Sequence, residues 1–494
     1  MVRRRNPKNN RKQLLSLGWV LAIALVSGCG GSGPAAKAPD AVAGANTKQG
    51  DRVVSPSGQQ VGISDAPSSG TSSVSRPKMS ASAAELYAAG MQAFQAGNLD
   101  GANAQFTKAT EADSSAYQAY YSMGVVRERF ANYSGALSAY SKSISVVSDY
   151  EPAIVAYAVL TAREGNPDAA EEYLNGRLAK MERSAALITA LAEVKSIRGD
   201  SGAAQRLAKE ALKANPDYRP AMVAMARDHY RSRRLDLALY ALQGILDGYG
   251  AENPPRDKDN PEAILLRGLI YKERGQRAAA MADFKRSLEI RSDLVEAKVH
   301  LAGYLLESGN APEAVPLLES ALRYDRDNLL ARLNLGDGYR LLGRVADAKQ
   351  QLEWVLQKDS KLAQVHYAVG LLYLFSENVP GSTPKESADR AMVAFEEYKK
   401  LKPRSGPGQA DDVDELITAA KSKKAVIEAG DAEKAAAEAD KAAAATAPAT
   451  KAKAEDAVPG VATANAPASG SGAANPDGKK APPTTSMPDE ETGQ

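Results

Sequence analysis

Residues 117–150 read YQAYYSMGVVRERFANYSGALSAYSKSISVVSDY, and this stretch decides the fold because its pattern recurs every 34 residues, apart from two insertions. Gly124 is a small residue in the first half, Ala136 is a small residue in the second half, and Tyr140 follows the alanine by one helical turn. The alanine position recurs in nine copies, at Ala102, Ala136, Ala170, Ala204, Ala238, Ala280, Ala314, Ala348 and Ala391. This period predicts pairs of antiparallel helices that stack side by side.

The neighbours of each alanine follow the same rule. Four residues later, the residue is large in all copies but the fourth: Phe106, Tyr140, Leu174, Ala208, Leu242, Phe284, Leu318, Leu352 and Phe395. A small residue stands in the preceding half of each copy, at Gly90, Gly124, Ala158, Ala192, Ala226, Gly268, Ala302, Gly336 and, ahead of an insertion, Gly370. Two helices approach closely only where their side chains are small, and a large residue one turn away fills the space beside that contact.

These features resemble the tetratricopeptide repeat family over about residues 83–405. The repeats begin at Ala83, Tyr117, Glu151, Ala185, Arg219, Pro261, Val295, Leu329 and Ala363. The resemblance implies an all-α fold, in which about nine helix-turn-helix repeats form a right-handed superhelical solenoid. The family's Trp at the fourth position is absent, and Tyr120 and His366 are its nearest aromatic substitutes. The alternative is a generic Ala-rich helical bundle, but a bundle has no reason to keep a fixed period.

Glycine stands at the turn inside most repeats, where a left-handed backbone ends the first helix: Gly97, Gly165, Gly199, Gly275, Gly309 and Gly343. The fifth repeat has Arg233 there instead. Two insertions, at residues 253–260 and 378–387, interrupt the register. Loops on rigid arrays often carry binding function, but surface loops also tolerate insertion at small cost, so both interpretations stay open.

The N-terminus predicts a secretory lipoprotein. Residues 1–28 contain six basic residues and no acidic one, and the apolar run from Leu14 to Val26 is too short to span a bilayer comfortably. The only cysteine follows in Val26-Ser27-Gly28-Cys29, which resembles the bacterial lipobox. That resemblance implies cleavage before Cys29, a diacylglycerol on its sulfur and an acyl chain such as palmitate on its amine. An uncleaved helical anchor with an incidental cysteine is the alternative.

The segments outside the repeats have biased compositions. Residues 29–82 contain the lipidated cysteine and a linker without aromatic residues or Leu, which predicts a disordered tether about 40 Å from end to end. Residues 411–446 predict a helix that caps the solenoid and then projects from it. Its capping stripe is Val413, Leu416, Ile417 and Ala420. Residues 447–494 lack aromatic residues, Leu and Ile, and predict a disordered tail.

Composition argues against several functions. The 494 residues carry a formal charge of +2, and removing the six positive charges of residues 1–28 leaves −4, which argues against a nucleic-acid surface. One cysteine and three scattered histidines provide neither a metal cluster nor a histidine-based catalytic site. We find no phosphate-binding loop or nucleophile motif. We therefore expect no enzyme activity, no cofactor, no metal and no small-molecule substrate.

The resemblance also implies a concave groove lined by the first helices of the repeats. The groove positions are apolar and aromatic at both ends and polar in the middle. The partner-binding candidates are Tyr87, Met91, Tyr121, Glu193, Arg227, Arg231, Tyr367 and Leu371. Apolar groove residues are equally well explained as packing between repeats, whereas tyrosine suits an interface with one wet end. The basic residues Arg227, Arg231, Arg233 and Arg234 are interpreted mainly as a solvated face paired with Asp228 and Asp236. A site for an acidic partner segment or phosphate is the alternative.

The combination of lipobox, tether, repeats and tail resembles lipoproteins of myxobacterial envelope machines, in particular the tetratricopeptide lipoprotein of the adventurous gliding-motility apparatus. The resemblance implies a scaffold for motility or secretion complex subunits. Gly30 after the cysteine favours the periplasmic face of the outer membrane, and the outer leaflet of the inner membrane is the alternative. A pilotin-like lipoprotein for secretin and type IV pilus assembly is the second hypothesis. An enzyme for cell-wall polysaccharide, or its accessory subunit, is the third.

Overall fold

A computed structural model describes residues 52–54, 60–62, 76–402 and 412–446. The predicted signal peptide at residues 1–28, Cys29 with most of the linker, and the tail at 447–494 lie outside the described residues. Within them the chain forms nineteen helices and two short strands. The all-α solenoid of nine helix pairs that the sequence predicts is confirmed.

Eighteen helices form the nine pairs. Their bounds are α1 Ala81–Gln95, α2 Leu99–Ala112, α3 Tyr117–Arg129, α4 Tyr133–Val146, α5 Glu151–Arg163, α6 Pro167–Leu178, α7 Ala185–Arg198, α8 Ser201–Ala214, α9 Arg219–Arg231, α10 Leu235–Leu246, α11 Pro261–Glu273, α12 Arg277–Ile290, α13 Val295–Glu307, α14 Ala311–Tyr324, α15 Leu329–Leu341, α16 Val345–Lys358, α17 Ala363–Phe375 and α18 Pro384–Leu401. Eight of the nine repeat starts from the sequence are first residues of odd-numbered helices, and the first helix begins at Ala81 rather than Ala83.

The core of each repeat lies between its two helices. All nine repeat alanines are at most 2% exposed, and the residue four positions after each of them is equally buried. In five repeats the small residue of the first helix is a glycine that lies directly against that later residue, as Gly90 lies against the ring of Phe106. The small-to-large contact inferred from the sequence is therefore the packing unit of the solenoid.

The turns within the repeats have the predicted backbone. All six turn glycines have positive φ, from 71° at Gly275 to 96° at Gly165. Two repeats adopt the same left-handed conformation without glycine, at Ala131 with φ 53° and Arg233 with φ 61°. This conformation is costly for a residue with a Cβ, so these two turns store local strain.

The two insertions take different forms. The first lies in the connection between α10 and α11, where Gly250 and Asn253 form a β-bridge. The second is shorter than the sequence register indicates. Thr383 caps α18 by accepting the Glu386 backbone N–H, the Glu386 carboxylate accepts the Thr383 N–H, and Pro384 to Ser387 form the first helical turn.

The described residues up to Asp431 belong to one compact unit. In it, the first part of helix α19 (Val413–Thr446) buries Val413, Ile417 and Ala420 in a core cluster that also contains Phe395. The described side chains from Ala432 to Ala442, in a second unit, are exposed. Strands β1 (Arg52–Val54) and β2 (Gln60–Gly62) pair antiparallel, which departs from the disorder expected of this stretch. A hairpin of only three paired residues forms without a buried core, so the composition of this stretch did not predict the two strands.

Candidate partner-binding groove

The odd-numbered helices lie on the inner side of the curved array. In several repeats the first helix packs on the first helix of the next repeat, as α5 does on α7 and α7 on α9. The second helices of successive repeats make no contacts of comparable extent among the described helices. Helices on the inside of a curve approach one another, so the inner face is the one the sequence predicts as the groove.

At the N-terminal end, the predicted residues differ in exposure. Tyr87 and Met91 are partly buried on α1, and the Tyr87 ring lies 5.6 Å from the ring of Phe106. Tyr121 is only 1% exposed, because its ring packs edge-on against Tyr150 at 5.7 Å. Burial raises the pKa of its hydroxyl. Tyr87 and Met91 retain partial access to solvent, whereas Tyr121 fills the space between repeats and has no wet end to offer a partner.

In the middle of the groove, three predicted residues come together. The Glu193 carboxylate on α7 accepts hydrogen bonds from Arg227 and from Arg231 Nη1, the latter at 2.8 Å, both on α9. Burial raises the pKa of Glu193, but the two guanidiniums outweigh burial and the pKa lies below its ordinary value. Glu193 and Arg227 occupy the same position in successive repeats, 34 residues apart. Opposite charges at equivalent groove positions were the signal for this contact.

The ion pairs continue beyond the predicted residues. Arg227 Nη2 bonds to Glu262 of α11 at 3.1 Å, and Arg291 Nη1, just after α12, bonds to the same carboxylate at 3.2 Å. Arg291 Nε lies 3.6 Å from Asp293, whose carboxylate lies 3.4 Å from Arg129 Nη1 on α3. We call this series the charge ladder; its members are Arg231, Glu193, Arg227, Glu262, Arg291, Asp293 and Arg129. The last four of these residues were not predicted from the sequence.

Arg233 and Arg234, the other two residues of the basic cluster, form ion pairs outside the charge ladder. Arg234 pairs with Asp228 at 3.2 Å, as expected, and Arg233 pairs with Glu273 at 2.6 Å. Asp236 pairs with Arg274 of the next repeat. The interpretation of Arg227 and Arg231 as a solvated face paired with Asp228 and Asp236 is therefore wrong, because both guanidiniums turn inward to the buried Glu193.

At the C-terminal end, the predicted residues are covered by the chain itself. The Tyr367 hydroxyl donates to the Asp412 carboxylate, with oxygen distances of 2.9 and 3.1 Å, and burial raises its pKa. Leu371 packs on the cluster that contains Val413 and Ile417. The residues that lead into α19 therefore occupy the surface that the sequence assigns to a partner at the ninth repeat.

Among the three histidines, His300 has a packing role. His300 stacks on Phe284 with ring centroids 5.6 Å apart, and its Nδ1 lies 3.1 Å from Lys272 Nζ, which is the donor. Burial, followed by the Lys272 charge, lowers the pKa of His300 to about 3. Burial also lowers the pKa of His229. In the part of the chain that the structure describes, no group of three or more His, Cys, Asp or Glu side chains is arranged to hold a metal ion.

A second surface, on the outer helix of the fifth repeat, was not predicted from the sequence. Tyr240 is 64% exposed on α10, and Tyr249 lies beside it with ring centroids 5.1 Å apart. Leu237 is exposed nearby, and a cleft of about 250 Å³ lined by Met222 and Met225 adjoins the Tyr249 ring. The neighbouring insertion was the available signal, because it brings Tyr249 back onto α10.

Cys29 and the leader lie outside the described residues, so the structure does not bear on the anchor. Among the helices that it does describe, none combines the length and the apolar character needed to cross a membrane.

Comparison with solved structures finds several similar chains, all at low sequence identity. The Cut9–Hcn1 hetero-tetramer of APC/C is 14% identical over 71% of this chain and 78% of that chain, with a TM-score of 0.46. PilW, described as a widely conserved type IV pilus biogenesis factor, is 18% identical over 46% of this chain and 99% of that chain, with a TM-score of 0.32. A tetratricopeptide repeat protein from Parabacteroides merdae is 16% identical over 69% of this chain and 99% of that chain, with a TM-score of 0.26.

Two family models, each described as a tetratricopeptide repeat, match this chain, one at residues 87–145 and the other at residues 305–372. The first range covers α2, α3 and most of α4, and the second covers α14, α15 and α16, so both coincide with stacked helix pairs. Between them the same alanine and turn positions recur without a change of register other than the first insertion. The chain therefore contains tetratricopeptide repeats near both ends of its helical array.

Proposed function

We propose that this chain is a non-catalytic scaffold that binds partner proteins. A lipid on Cys29 holds the scaffold at an envelope membrane. The observation that carries the proposal is the order of its segments. A basic and apolar leader ends at Val26-Ser27-Gly28-Cys29, a linker poor in large apolar residues follows, and the solenoid begins at Ala81. Solenoids present extended surfaces to other proteins, and a tether lets such a surface reach partners away from the membrane.

The proposed location is the periplasmic face of the outer membrane, supported by Gly30 after the cysteine. The proposed role is assembly of an envelope-spanning machine. Gliding motility is the proposed process, because the order of segments resembles that of a gliding-motility lipoprotein. For the binding surface, the partly buried Tyr87 and Met91 of the first repeat are better placed than Tyr367, which Asp412 already engages. We therefore place the partner contact at the N-terminal end of the inner face.

Metabolic labelling with a fatty acid analogue tests the anchor. We expect label on the wild-type chain and none on Cys29→Ala, because Cys29 is the only cysteine. When the same cells are fractionated, the Cys29→Ala variant should be absent from the outer membrane fraction. A wild-type chain without label refutes the lipid anchor but leaves the solenoid's binding role to be judged separately.

Photocrosslinking in cells tests partner binding. A photoreactive residue replaces Met91 on the inner face in one strain and Tyr240 on the outer face in another. We expect Met91 to capture motility-complex subunits and Tyr240 to capture fewer of them. Capture of a secretin would replace the motility role with a pilotin-like one, and the absence of any captured protein at both positions would contradict a scaffold.

A further inference from the structure

The first repeats contact repeats that follow much later in the chain. Arg129 of the second repeat pairs with Asp293, which lies between the sixth and seventh repeats and 164 residues further along the chain. Both side chains are only 8% exposed. In a solenoid each repeat ordinarily contacts only its neighbours, so this ion pair brings together parts of the array that successive packing does not join.

Aromatic rings flank this ion pair. Phe130 stacks on Tyr324 of α14 with centroids 5.8 Å apart and planes 23° from parallel. The Arg129 guanidinium lies 4.3 Å from the centre of the Phe94 ring. At the solvent edge, Arg323 lies 3.8 Å from Asp100. Together these residues form a continuous contact between repeats one and two on one side and repeats six and seven on the other.

The contact also completes the charge ladder. The ladder runs along the inner face from Glu193 through Arg227 and Glu262, and it reaches Arg129 only through Asp293. The inner face between the second and sixth repeats is therefore bounded by a side-chain contact as well as by its own helices.

Two features weaken this closure. Arg129 Nε and Nη2 are buried without a hydrogen-bond partner, and unmet hydrogen bonds on a buried guanidinium oppose the closed form. The junction between the fifth and sixth repeats carries the first insertion, and α10 packs on α11 less extensively than any other second helix packs on the following first helix. Because the curvature of a solenoid is the sum of small rotations between repeats, a rotation at that junction would move the two ends of the array relative to each other.

We propose that Arg129, Phe130, Asp293 and Tyr324 form a latch that closes the superhelix reversibly and controls access of partners to the inner face. The function of the latch in partner access rests on the scaffold role proposed above, whereas its opening is a property of the isolated chain. Opening separates Asp100 from Arg323 and exposes the inner face of the third repeat.

The test uses the full chain with Cys29→Ser, so that introduced thiols are the only ones. Spin labels at Asp100→Cys and Arg323→Cys report the distance across the contact. In a second series of variants, Val159→Cys, at a partly buried position of the first helix of the third repeat, reacts with a bulky polyethylene-glycol maleimide. Leu237→Cys on the exposed outer face reports general thiol reactivity. Each series is measured with the native latch and with Asp293→Asn/Tyr324→Ala.

We expect a single short distance with the native latch, and a longer, broader distribution with the double variant. The rate of modification of Val159→Cys should rise by about fivefold or more, because loss of a contact shifts the opening equilibrium towards the open form. The rate for Leu237→Cys should not change. Asp259→Asn is the matched control, because it removes a carboxylate from an exposed ion pair with Arg286 and should change neither readout.

Three results would overturn the latch. The first is a long distance across the contact in the native chain. The second is a double variant that keeps its helical circular dichroism and shows the same distance and the same modification rate as the native latch. The third is a short distance that appears only between differently labelled copies, which would make the contact intermolecular. No partner is used, so none of these results bears on whether the chain is a scaffold, and a failed search for partners does not bear on the latch.

Discussion

Gly124 of α3 lies so close to Tyr140 of α4 that a Cβ on residue 124 would stand 2.5 Å from Tyr140 Cε1. The same arrangement joins Gly90 to Phe106 and Gly268 to Phe284. The absence of a side chain on the first helix is thus what allows an aromatic ring on the second helix to be fully buried. Each repeat obtains close helix packing and a large buried surface from one pair of residues.

Gly124→Ala should destabilise the chain by about 1–3 kcal/mol, because the added methyl group overpacks a site with no free volume. Thermal unfolding followed by circular dichroism measures the loss. Gly176→Ala is the matched control, since a Cβ there meets no atom within 4 Å. That control should gain about 0.5–1 kcal/mol from helix propensity. If Gly124→Ala and Tyr140→Leu have strictly additive effects, the close contact is not the cause.

Ala131→Gly should stabilise the chain by about 0.5–1 kcal/mol, because the native backbone at this turn is left-handed and glycine adopts it without strain. The reverse change at an equivalent turn, Gly199→Ala, should destabilise, since φ there is 88°. A Cβ at Gly199 meets no neighbouring atom, so a loss isolates the backbone effect. Denaturation midpoints of the two variants should move in opposite directions, and a shift in the same direction would contradict this explanation.

Glu193→Gln should cost about 2–3 kcal/mol, because it leaves two partly buried guanidiniums without their shared carboxylate. Asp236→Asn is the control. That carboxylate is 94% exposed and pairs with Arg274, so its loss should change stability by less than about 0.5 kcal/mol. Urea unfolding at neutral pH compares the two variants, and equal effects would show that the charge ladder adds nothing to stability.

The Glu193 carboxylate should also make the stability of the chain depend on pH in the acidic range. The folded-state pKa of Glu193 lies below its ordinary value of 4.5, so its contribution to stability is present above pH 4.5 and is lost as pH falls through the folded pKa. Wild-type stability should therefore fall more steeply than that of Glu193→Gln below pH 4.5. Parallel stability curves for the two proteins in this range would contradict a charged Glu193 in the folded chain.

His300 should lower stability at mildly acidic pH. Its pKa is about 3 when folded, against an ordinary value of 6.5, so protons bind preferentially to the unfolded chain between these values. Stability contributed by the neutral imidazole is thus lost as pH falls from 6.5 towards 3. From pH 7 to pH 5 the wild type should lose about 1–2 kcal/mol more than His300→Gln. An identical pH dependence in the two proteins would mean that His300 has the same pKa in the folded and the unfolded chain.

The predicted packing within a repeat agrees with the structure because its causes are local. The alanine column, the large residue four positions later and the turn glycine act within one helix pair, and sequence spacing alone brings them together. The burial of Ala136 and Tyr140 and the positive φ of Gly97 follow from the same register. Strain at Ala131 has the same origin, since the turn geometry is set by the repeat and not by the residue that occupies it.

The groove was predicted less well because its residues depend on other repeats. Tyr121 is a groove position by register, but Tyr150 from the next connection covers it. Tyr367 has a groove position too, and the residue that engages it is Asp412, 45 positions away. Only the pairing of Glu193 with Arg227 had a signal in the sequence, in the form of opposite charges one repeat apart.

The sequence by itself determined the helix pairs, their number and their register, because each rests on small, large and turn residues at fixed short spacings. Only the tertiary structure decided how the pairs curve, and hence that Arg129 meets Asp293 and Phe130 meets Tyr324. Curvature is the sum of small rotations between neighbouring repeats. No single residue encodes that sum, so contacts made across it are visible only once the whole array is assembled.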